Sequence, residues 1–476
     1  MADLLIENAS HIATMDSNRT EIYGGWIAIT NGFISGIGGA STQTASTQTA
    51  DNQAANAPET NTAPEAATTL DATDCLLTPG LINTHHHLYQ NLTRSYAPAL
   101  GGGLFEWLRT LYPLWSRLDE ESAYISAWVG LLELAMSGCT TSTDHLYIHP
   151  AGGGDVLGAE ITAAQELGIR FHPTRGSMSL SQKDGGLPPD SVVESEDKIL
   201  EESERAVRTY HDPSPGSMLR IALAPCSPFS VTNDLMVATA EMAERLDVRL
   251  HTHIAETLDE DDYCLEAHGM RPLELFESVG WAGDRAWIAH CVHPSPAEVK
   301  QLGEWQTGVA HCPSSNMALA SGLAPVREMR EAGVPVGLGC DGSSSADSGS
   351  LWTEARLAYL QGRLRAGLAE IETLMTAREV LEIATRGGAA CFGRLGEIGE
   401  LSVGAAADIT AWKLSGVQFA GALSDPVEAW LRCGPLQAHH TVIAGKPLVR
   451  SGEPQVSGIE EKLHQHRKSA TRMQSA

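Results

Sequence analysis

The sequence predicts an α/β protein: a (β/α)₈ TIM-like barrel with a small β-sandwich domain that is built from both ends of the chain. Three observations favour this fold. Between residues 79 and 395, short apolar runs alternate with helical stretches. Both chain ends instead show short strand-like runs that are separated by turn signals. With 476 residues, the chain is long enough to bury the cores of both parts.

Residues 1–78 are assigned to the N-terminal part of the β domain, because four short apolar runs are separated by turn signals such as Asn31-Gly32. Within this part, residues 40–68 are mostly Ala, Thr, Gln, Asn, Ser and Pro, and Ser-Thr-Gln-Thr-Ala occurs twice in succession from residue 41. Such a segment buries too little apolar surface to offset the entropy of ordering it. We therefore expect a flexible insert over 40–68.

Residues 79–395 are assigned to the barrel, and residues 396–476 to the C-terminal part of the β domain plus a tail. Apolar residues with helical spacing predict helices that include 121–137, 233–245, 273–279 and 351–363. Continuous apolar runs of strand length predict eight barrel strands at 76–84, 140–144, 170–175, 219–226, 248–253, 286–290, 308–312 and 335–340.

Composition limits the classes of partner and the compartment. The formal net charge of −27 disfavours binding to nucleic acids or anionic membranes. No apolar run has the length of a membrane span, and the N-terminus lacks the basic start of a signal peptide. The nine cysteines are odd in number and scattered, which is typical of buried free thiols. We expect a cytoplasmic protein.

The first barrel strand ends in His85-His86-His87. Side chains alternate along an extended chain, so His85 and His87 point to one side and His86 to the other. Two imidazoles on one side are typical of a metal site. Alone, the triplet is weak evidence, because such runs also occur on surfaces and in purification tags.

Other predicted strands also end in polar residues. The fifth ends in His251-Thr252-His253 with Glu256 three residues on, the sixth in His290, and the eighth is followed by Asp341. Each has a simpler explanation, since a lone histidine is often a hydrogen-bonded core residue and Asp-Gly is often a turn. Periodicity does not choose between His251 and His253. Because strand ends meet at one mouth of a barrel, however, four such endings favour a shared site.

These motifs resemble the amidohydrolase superfamily, specifically its deaminase branch. The resemblance covers essentially the whole chain except the 40–68 insert. It implies that His85, His87, His253 and Asp341 are metal ligands, since the ligand of the fifth strand is the histidine three residues before the glutamate. It also implies that Glu256, His290 and Asp341 are catalytic.

The resemblance further implies one divalent metal. Binuclear members carry a carboxylated lysine at the end of the fourth strand, whereas residues 221–226 contain no lysine. Three imidazoles and a carboxylate suit Zn²⁺ or, alternatively, Fe²⁺. In the implied reaction, the metal activates water, Asp341 and His290 take up its proton, Glu256 protonates a ring nitrogen, and ammonia leaves.

Three loops, at 175–189, 224–230 and 311–317, are similar to those of 8-oxoguanine deaminases, which convert 8-oxoguanine and water to urate and ammonia. Hydroxylated s-triazine aminohydrolases and guanine or pterin deaminases share much of the pattern and stay open as alternatives. So do a catalytically inactive scaffold protein of this fold and a hydrolase that opens a cyclic amide or imidazolone ring without releasing ammonia.

Candidate substrate contacts are Gln90, Trp107 and Arg175. Gln90 offers a donor and an acceptor, and Trp107 offers a flat face for stacking, although it also fits an ordinary helical core stripe. Arg175 either meets a carbonyl oxygen of the substrate or pairs with an acid at the barrel rim. The resemblance implies a small purine-like substrate as partner and a homo-oligomeric assembly.

Overall fold

The structure, a computed structural model, describes residues 1–44, 62–367, 374–434 and 436–475. Its strands are β1 (Ala2–Ala13), β2 (Glu21–Thr30), β3 (Phe33–Gln43), β4 (Ala66–Asp71), β5 (Cys75–Pro79), β6 (Leu81–Asn83), β7 (Cys139–Ser142), β8 (His145–Leu146), β9 (Arg170–Phe171), β10 (Thr174–Ser177), β11 (Ala222–Pro225), β12 (Arg249–Ile254), β13 (Ala286–His290), β14 (Gly308–His311), β15 (Val336–Leu338), β16 (Ile409–Lys413), β17 (His440–Ile443), β18 (Lys446–Arg450) and β19 (Glu453–Pro454).

The helices lie mostly between barrel strands in the order of the chain. They are α1 (Leu104–Trp115), α2 (Glu120–Met136), α3 (Val156–Leu167), α4 (Glu196–Tyr210), α5 (Asn233–Leu246), α6 (Leu258–His268), α7 (Pro272–Ser278), α8 (Pro296–Trp305), α9 (Pro313–Ala318), α10 (Val326–Glu331), α11 (Leu351–Ala366), α12 (Ala377–Glu382), α13 (Gly388–Cys391), α14 (Pro426–Arg432) and α15 (Ile459–Gln474).

The parallel sheet closes into the predicted barrel. Its strand order is β8-β10-β11-β12-β13-β14-β15-β6-β7-β9, and β15 pairs with β6. The second and third barrel strands are each divided, into β7 with β8 and β9 with β10, and both halves pair across this junction. Ten short strands therefore occupy eight barrel positions, which confirms the predicted fold class.

The second sheet contains strands from both ends of the chain, as predicted. Its order is β19-β18-β17-β16-β5-β1-β2-β3, and β4 pairs with β1. The two halves meet where β16 runs antiparallel to β5. Some neighbours are parallel and others antiparallel, so the β domain is a mixed sheet.

The predicted first barrel strand, 76–84, is two strands in two different sheets. β5 belongs to the mixed sheet and β6 to the barrel, and Gly80 lies between them. A Cβ atom at Gly80 would lie 2.1 Å from Oγ1 of Thr140, so the chain can change sheets here only without a side chain. The prediction of one strand was wrong. Both halves are apolar and buried, so the sequence pattern does not show where one strand ends and the next begins.

The predicted insert is shorter than 40–68 at both ends. β3 continues to Gln43 and β4 begins at Ala66, so the prediction was wrong for the terminal residues of the segment. Pairing with neighbouring strands orders them despite their polar side chains. Residues 45–61, which carry most of this prediction, lie outside the described residues.

The predicted tail forms α15, which packs on the barrel against α2. It also contacts the short 3₁₀ helix Leu88–Thr93, which follows the histidine triplet. Nε2 of His466 donates to Oδ1 of Asn91 at 2.8 Å, and Nε2 of Gln474 donates to the Leu92 carbonyl at 2.7 Å. The C-terminus thus supports the segment next to the triplet.

Two expectations from the composition concern the cysteines, expected to be buried free thiols, and the helices, expected not to span a membrane. All nine cysteines fall within the described ranges and are free thiols, and eight of them are buried. Within those same ranges, each helix is too short or too polar to cross a bilayer.

An ion pair between the buried carboxylate of Glu21 and the partly exposed guanidinium of Arg378 links β2 to α12. Glu21 accepts from Nε of Arg378 at 2.6 Å and lies 3.1 Å from Nε2 of His11. Burial alone would raise the pKa of Glu21, but hydrogen bonds from His11 and Arg378 lower it to about 2. A carboxylate with a depressed pKa stabilises the fold above its unfolded pKa and loses this effect as the pH falls toward its folded pKa.

We expect Glu21→Gln to lower the free energy of unfolding by about 2 kcal/mol at pH 7, because it removes the buried carboxylate that pairs with Arg378 and leaves Asp425 as the remaining charge partner of this arginine. The deficit should shrink between pH 5 and pH 3. Urea unfolding at both ends of this range measures it, with Glu453→Gln, an exposed change in β19, as control. Equal stability of the Glu21→Gln variant and the parent at pH 7 would contradict this assignment.

Candidate metal centre

The four predicted metal ligands converge at the carboxyl end of the barrel. Nε2 of His85 lies 3.4 Å from Oδ1 of Asp341, and Nε2 of His87 lies 3.3 Å from the same oxygen. Nε2 of His253 lies 3.2 Å from Nε2 of His87. All four side chains are buried. Residues from three separate barrel strands are thus brought together around one point.

Two of the three histidines are oriented by backbone carbonyls. Nδ1 of His87 donates to the His145 carbonyl at 2.8 Å, and Nδ1 of His253 donates to the Cys226 carbonyl at 2.7 Å. A neutral imidazole carries one N–H, so donation from Nδ1 leaves the lone pair on Nε2. Both Nε2 atoms therefore present a lone pair, which is the form that binds a metal.

The third histidine, His85, is oriented by another side chain. Nδ1 of His251 donates to the Trp287 carbonyl at 2.8 Å, so Nε2 of His251 accepts from Nδ1 of His85, also at 2.8 Å. Nε2 of His85 then carries a lone pair. This nitrogen is buried and has no hydrogen-bond partner among the described residues, as expected of a group that binds a metal.

The electrostatics of the ligand set also fit a divalent cation. Burial lowers the pKa of His85, His87 and His253, which keeps these imidazoles neutral. Burial alone would raise the pKa of Asp341, but its close contacts with the imidazoles of His85, His290 and His87 hold it well below its usual range. Three neutral nitrogens and one carboxylate match the donors that Zn²⁺ prefers.

The backbone adopts left-handed conformations at several of the strand ends that carry the site residues. Ala255, His290 and Asp341 have φ of 55°, 69° and 59°. Such values are uncommon for residues other than glycine, and they cluster at functional sites, where the surrounding structure offsets the strain. Here they turn the chain sharply at the ends of three barrel strands.

Glu256 and His290 lie next to the ligands, as predicted. Nε2 of His290 is 3.7 Å from Oε2 of Glu256 and 3.8 Å from Oδ2 of Asp341, while Nδ1 of His290 is bonded to Oδ1 of Asn316 at 2.9 Å. Burial, reinforced by the charge of Asp341 and opposed by that of His290, raises the pKa of Glu256 to about 7. Glu256 is therefore able to hold a proton near neutral pH.

The sequence analysis did not assign a supporting role to four residues that hold this arrangement. Asn316 orients His290, and His251 orients His85. Glu260 accepts from the backbone N–H groups of Ala255 and Glu256, each at 2.8 Å. His145 stacks on His253 with 4.7 Å between ring centroids, and its ligating atom lies within 4.8 Å of those of His85 and His253.

His145 had a clear signal in the sequence, because it directly follows the predicted second barrel strand, 140–144, and His251 was named there as the alternative ligand to His253. Nε2 of His145 donates to the Ala224 carbonyl at 3.1 Å.

A cavity adjoins the ligands and contains two of the three predicted substrate contacts. Gln90 and Trp107 line it together with Glu256, His290 and Asp341. The Oε1 atom of Gln90 is buried and has no hydrogen-bond partner within the described ranges. Trp107 also belongs to the hydrophobic core, as the helical core stripe predicts, and its stacking on a substrate stays a prediction.

Tyr112 lines the same cavity and was not predicted. Its hydroxyl is buried and, among the residues that the structure describes, has no hydrogen-bond partner.

For Arg175, the third predicted substrate contact, the structure favours the ion-pair alternative. The described residues that line the cavity do not include it. Nη2 of Arg175 donates instead to Oε2 of Glu194 at 2.7 Å, and both side chains are buried. A buried guanidinium needs a counter-charge, and Glu194 supplies it, which corresponds to the ion-pair alternative.

Comparisons with known proteins agree with this geometry. A family model described as "Amidohydrolase family" matches residues 76–448. The chain is 46% identical to an 8-oxoguanine deaminase of Pseudomonas aeruginosa over 86% of this chain and 90% of that protein. It is 38% identical to a hydroxydechloroatrazine ethylaminohydrolase of Pseudomonas sp. (strain ADP) over 80% and 79% of the two chains.

A solved structure is also similar over nearly its whole length. The atrazine chlorohydrolase of Arthrobacter aurescens TC1, solved as a complex with zinc, is 32% identical with a TM-score of 0.89, covering 98% of this chain and 100% of that one.

The metal centre generates a prediction that needs no substrate. We expect the purified protein to bind about one equivalent of Zn²⁺ or Fe²⁺, and to lose thermal stability when a chelator removes it, because a metal that binds only the folded state stabilises it. His87→Ala should abolish tight binding and this stabilisation. Elemental analysis and thermal denaturation measure both, with His149→Gln at the barrel rim as control. Full metal content in His87→Ala would contradict the assignment.

Proposed function

This chain belongs to the amidohydrolase family, and on that basis we propose that it is a metal-dependent deaminase that converts 8-oxoguanine and water to urate and ammonia. The predicted class, a hydrolase that acts on carbon–nitrogen bonds, is confirmed by the relatives. The observation that carries the proposal is the placement of His85, His87, His253 and Asp341 beside Glu256 and His290 in one cavity.

The proposed metal site consists of His85, His87, His253 and Asp341. Zn²⁺ is the proposed metal, with Fe²⁺ as the alternative, because the three oriented Nε2 atoms and one carboxylate suit either ion. When bound, the metal supplies Lewis-acid activation of water near neutral pH.

The proton transfers are assigned to three side chains. Asp341, which stays ionised, and His290, whose Nε2 faces two carboxylates, accept the proton that the attacking water loses. Glu256 holds a proton near neutral pH and donates it to the ring nitrogen beside the attacked carbon. A carbon–oxygen bond forms and the carbon–nitrogen bond breaks; the amino group takes up the proton held by Asp341 and His290 and leaves as ammonia, and the second proton of the attacking water restores Glu256.

Substrate recognition is assigned to the polar atoms of the cavity that have no protein partner. Oε1 of Gln90 is an acceptor and the hydroxyl of Tyr112 is a donor or an acceptor. 8-Oxoguanine carries N7–H and a C8 carbonyl where guanine carries a bare N7 and C8–H. An unpaired buried acceptor penalises a ligand that lacks the matching N–H group, so Gln90 favours the oxidised purine.

Trp107 forms an apolar wall of the same cavity. Its indole N–H donates to the Ser344 carbonyl at 3.3 Å, which fixes the ring beside the substrate position.

A hydroxylated s-triazine aminohydrolase is the second candidate. One of the two reported relatives is an ethylaminohydrolase of this type, at lower identity than the 8-oxoguanine deaminase. Guanine and pterin deaminases stay as further alternatives. We place the reaction in purine metabolism and in the cytoplasm, which the nine free thiols support. The homo-oligomeric assembly stays a prediction.

The proposed substrate is tested by ammonia release and ultraviolet spectra of the metal-loaded protein. We expect the highest kcat/KM for 8-oxoguanine, with urate as product, in a panel that also contains guanine, isoxanthopterin, cytosine and a hydroxylated aminotriazine. Preference for the triazine would favour the second candidate. Inactivity toward the whole panel with metal bound would contradict deamination and favour a ring hydrolase.

The role of Glu256 predicts a pH profile. With a pKa of about 7, Glu256 is protonated below that pH, so kcat/KM should fall as the pH rises through 7. Glu256→Gln should lower kcat by about 100-fold or more and remove this dependence, because an amide cannot donate the catalytic proton. Metal content should be unchanged, and Glu266→Gln, an exposed change in α6, serves as control. Near-parental turnover by Glu256→Gln would rule out the assigned role.

A further inference from the structure

We propose that His251 is a positioning residue for the metal centre, in which its Nε2 lone pair holds the His85 ring so that Nε2 of His85 faces the metal. The inference rests on the proposed function only in that it concerns the same metal site. It is carried by one hydrogen bond, from Nδ1 of His85 to Nε2 of His251 at 2.8 Å, between two fully buried rings.

His85 differs from the other two histidine ligands in what holds it. The Nδ1–H groups of His87 and His253 donate to the backbone carbonyls of His145 and Cys226. Any amino acid at positions 145 and 226 would provide such a carbonyl. His85 depends on a side chain instead. Its orientation is therefore open to change by a single substitution at residue 251.

The hydrogen bond also selects the tautomer of His85. Because Nδ1 of His251 donates to the Trp287 carbonyl at 2.8 Å, Nε2 of His251 is left as an acceptor. Nδ1 of His85 must then carry the proton, and the lone pair remains on Nε2. Metal-binding histidines generally donate their other N–H in this way, and that donation sets the tautomer and strengthens the ligand.

Trp287 holds both partners of this interaction. Its ring stacks on His251, with 4.4 Å between centroids and an interplanar angle of 15°. Its indole N–H donates to the carbonyl of Thr84, the residue before His85, at 2.9 Å. The residues Thr84, His85, His251 and Trp287 thus form a closed ring of contacts between three barrel strands.

The backbone of His85 is already held without His251. The Thr84 N–H donates to the Leu338 carbonyl at 2.7 Å, and the Asp341 N–H donates to the His85 carbonyl at 3.0 Å. These backbone hydrogen bonds do not fix the rotation of the His85 imidazole about its side-chain torsions. The acceptor on His251 limits that rotation, so its loss should affect metal binding more than folding.

The test compares variants at residue 251 by Zn²⁺ affinity, measured by competition with a chelator, and by the rate at which Zn²⁺ dissociates. Gln places an amide oxygen near the position of the lost Nε2 atom, Asn is too short to reach His85, and Leu has no acceptor. We expect His251→Leu and His251→Asn to weaken Zn²⁺ binding by about 10- to 100-fold and His251→Gln to restore most of it.

His172→Leu is the matched control. His172 is likewise a buried histidine that contacts the Trp287 ring, at 5.9 Å between centroids, and it is not bonded to a metal ligand. This variant should bind Zn²⁺ as the parent does. Circular dichroism and thermal unfolding of the metal-free proteins separate folding from binding. If His251→Leu does not fold, the comparison of Zn²⁺ affinity between His251→Gln and His251→Asn tests the proposal.

Parental Zn²⁺ affinity in His251→Asn or His251→Leu would overturn the proposal. Equal weakening in His251→Gln and His251→Leu would also overturn it, because volume or stacking, not the acceptor, would then be the cause. These measurements need no substrate. A wrong assignment of the substrate therefore leaves their outcome unchanged, and a failure of this inference leaves the substrate panel unchanged.

Discussion

Each buried imidazole at the barrel mouth has two ring nitrogens that need partners, and this requirement connects the metal centre to the surrounding strands. In His87 and His253, one nitrogen is bonded to a backbone carbonyl, so the other is free for a metal. In His85 the same division is made by His251. The positions of the strands therefore decide which nitrogen of each proposed ligand faces the proposed metal centre.

The predictable part of the site was its set of strand ends. A polar side chain that ends an apolar run must be exposed, hydrogen-bonded or bound, and four such endings in one barrel indicated a shared site. The hydrogen bond between His85 and His251 was not predictable, because it joins residues 166 positions apart. The division of the predicted first strand into β5 and β6 at Gly80 was not predictable either, since the residues on both sides are apolar and buried. In each case the missing information was the packing between strands.

Support for the site also comes from outside the barrel strands. α15 carries His466 and Gln474, which bond to Asn91 and Leu92 in the short helix that follows His87 and contains Gln90. At the other end of the triplet, Gly80 connects the first barrel strand to the mixed sheet. The segment with the first two ligands is therefore held on both sides by structure from the chain termini.

The environment of His290 separates the roles of two carboxyl groups. Asp341 and Glu256 lie at similar distances from its Nε2 atom, 3.8 and 3.7 Å. Asp341 is in contact with His85 and His87 and stays ionised, whereas burial with fewer compensating charges raises the pKa of Glu256 to about 7. When the pKa of one carboxyl group is lowered and that of its neighbour is raised, the first is suited to act as a base and the second as an acid. Because one imidazole lies between them, a proton accepted beside Asp341 has a short path toward Glu256, which would restore the acid for the next reaction.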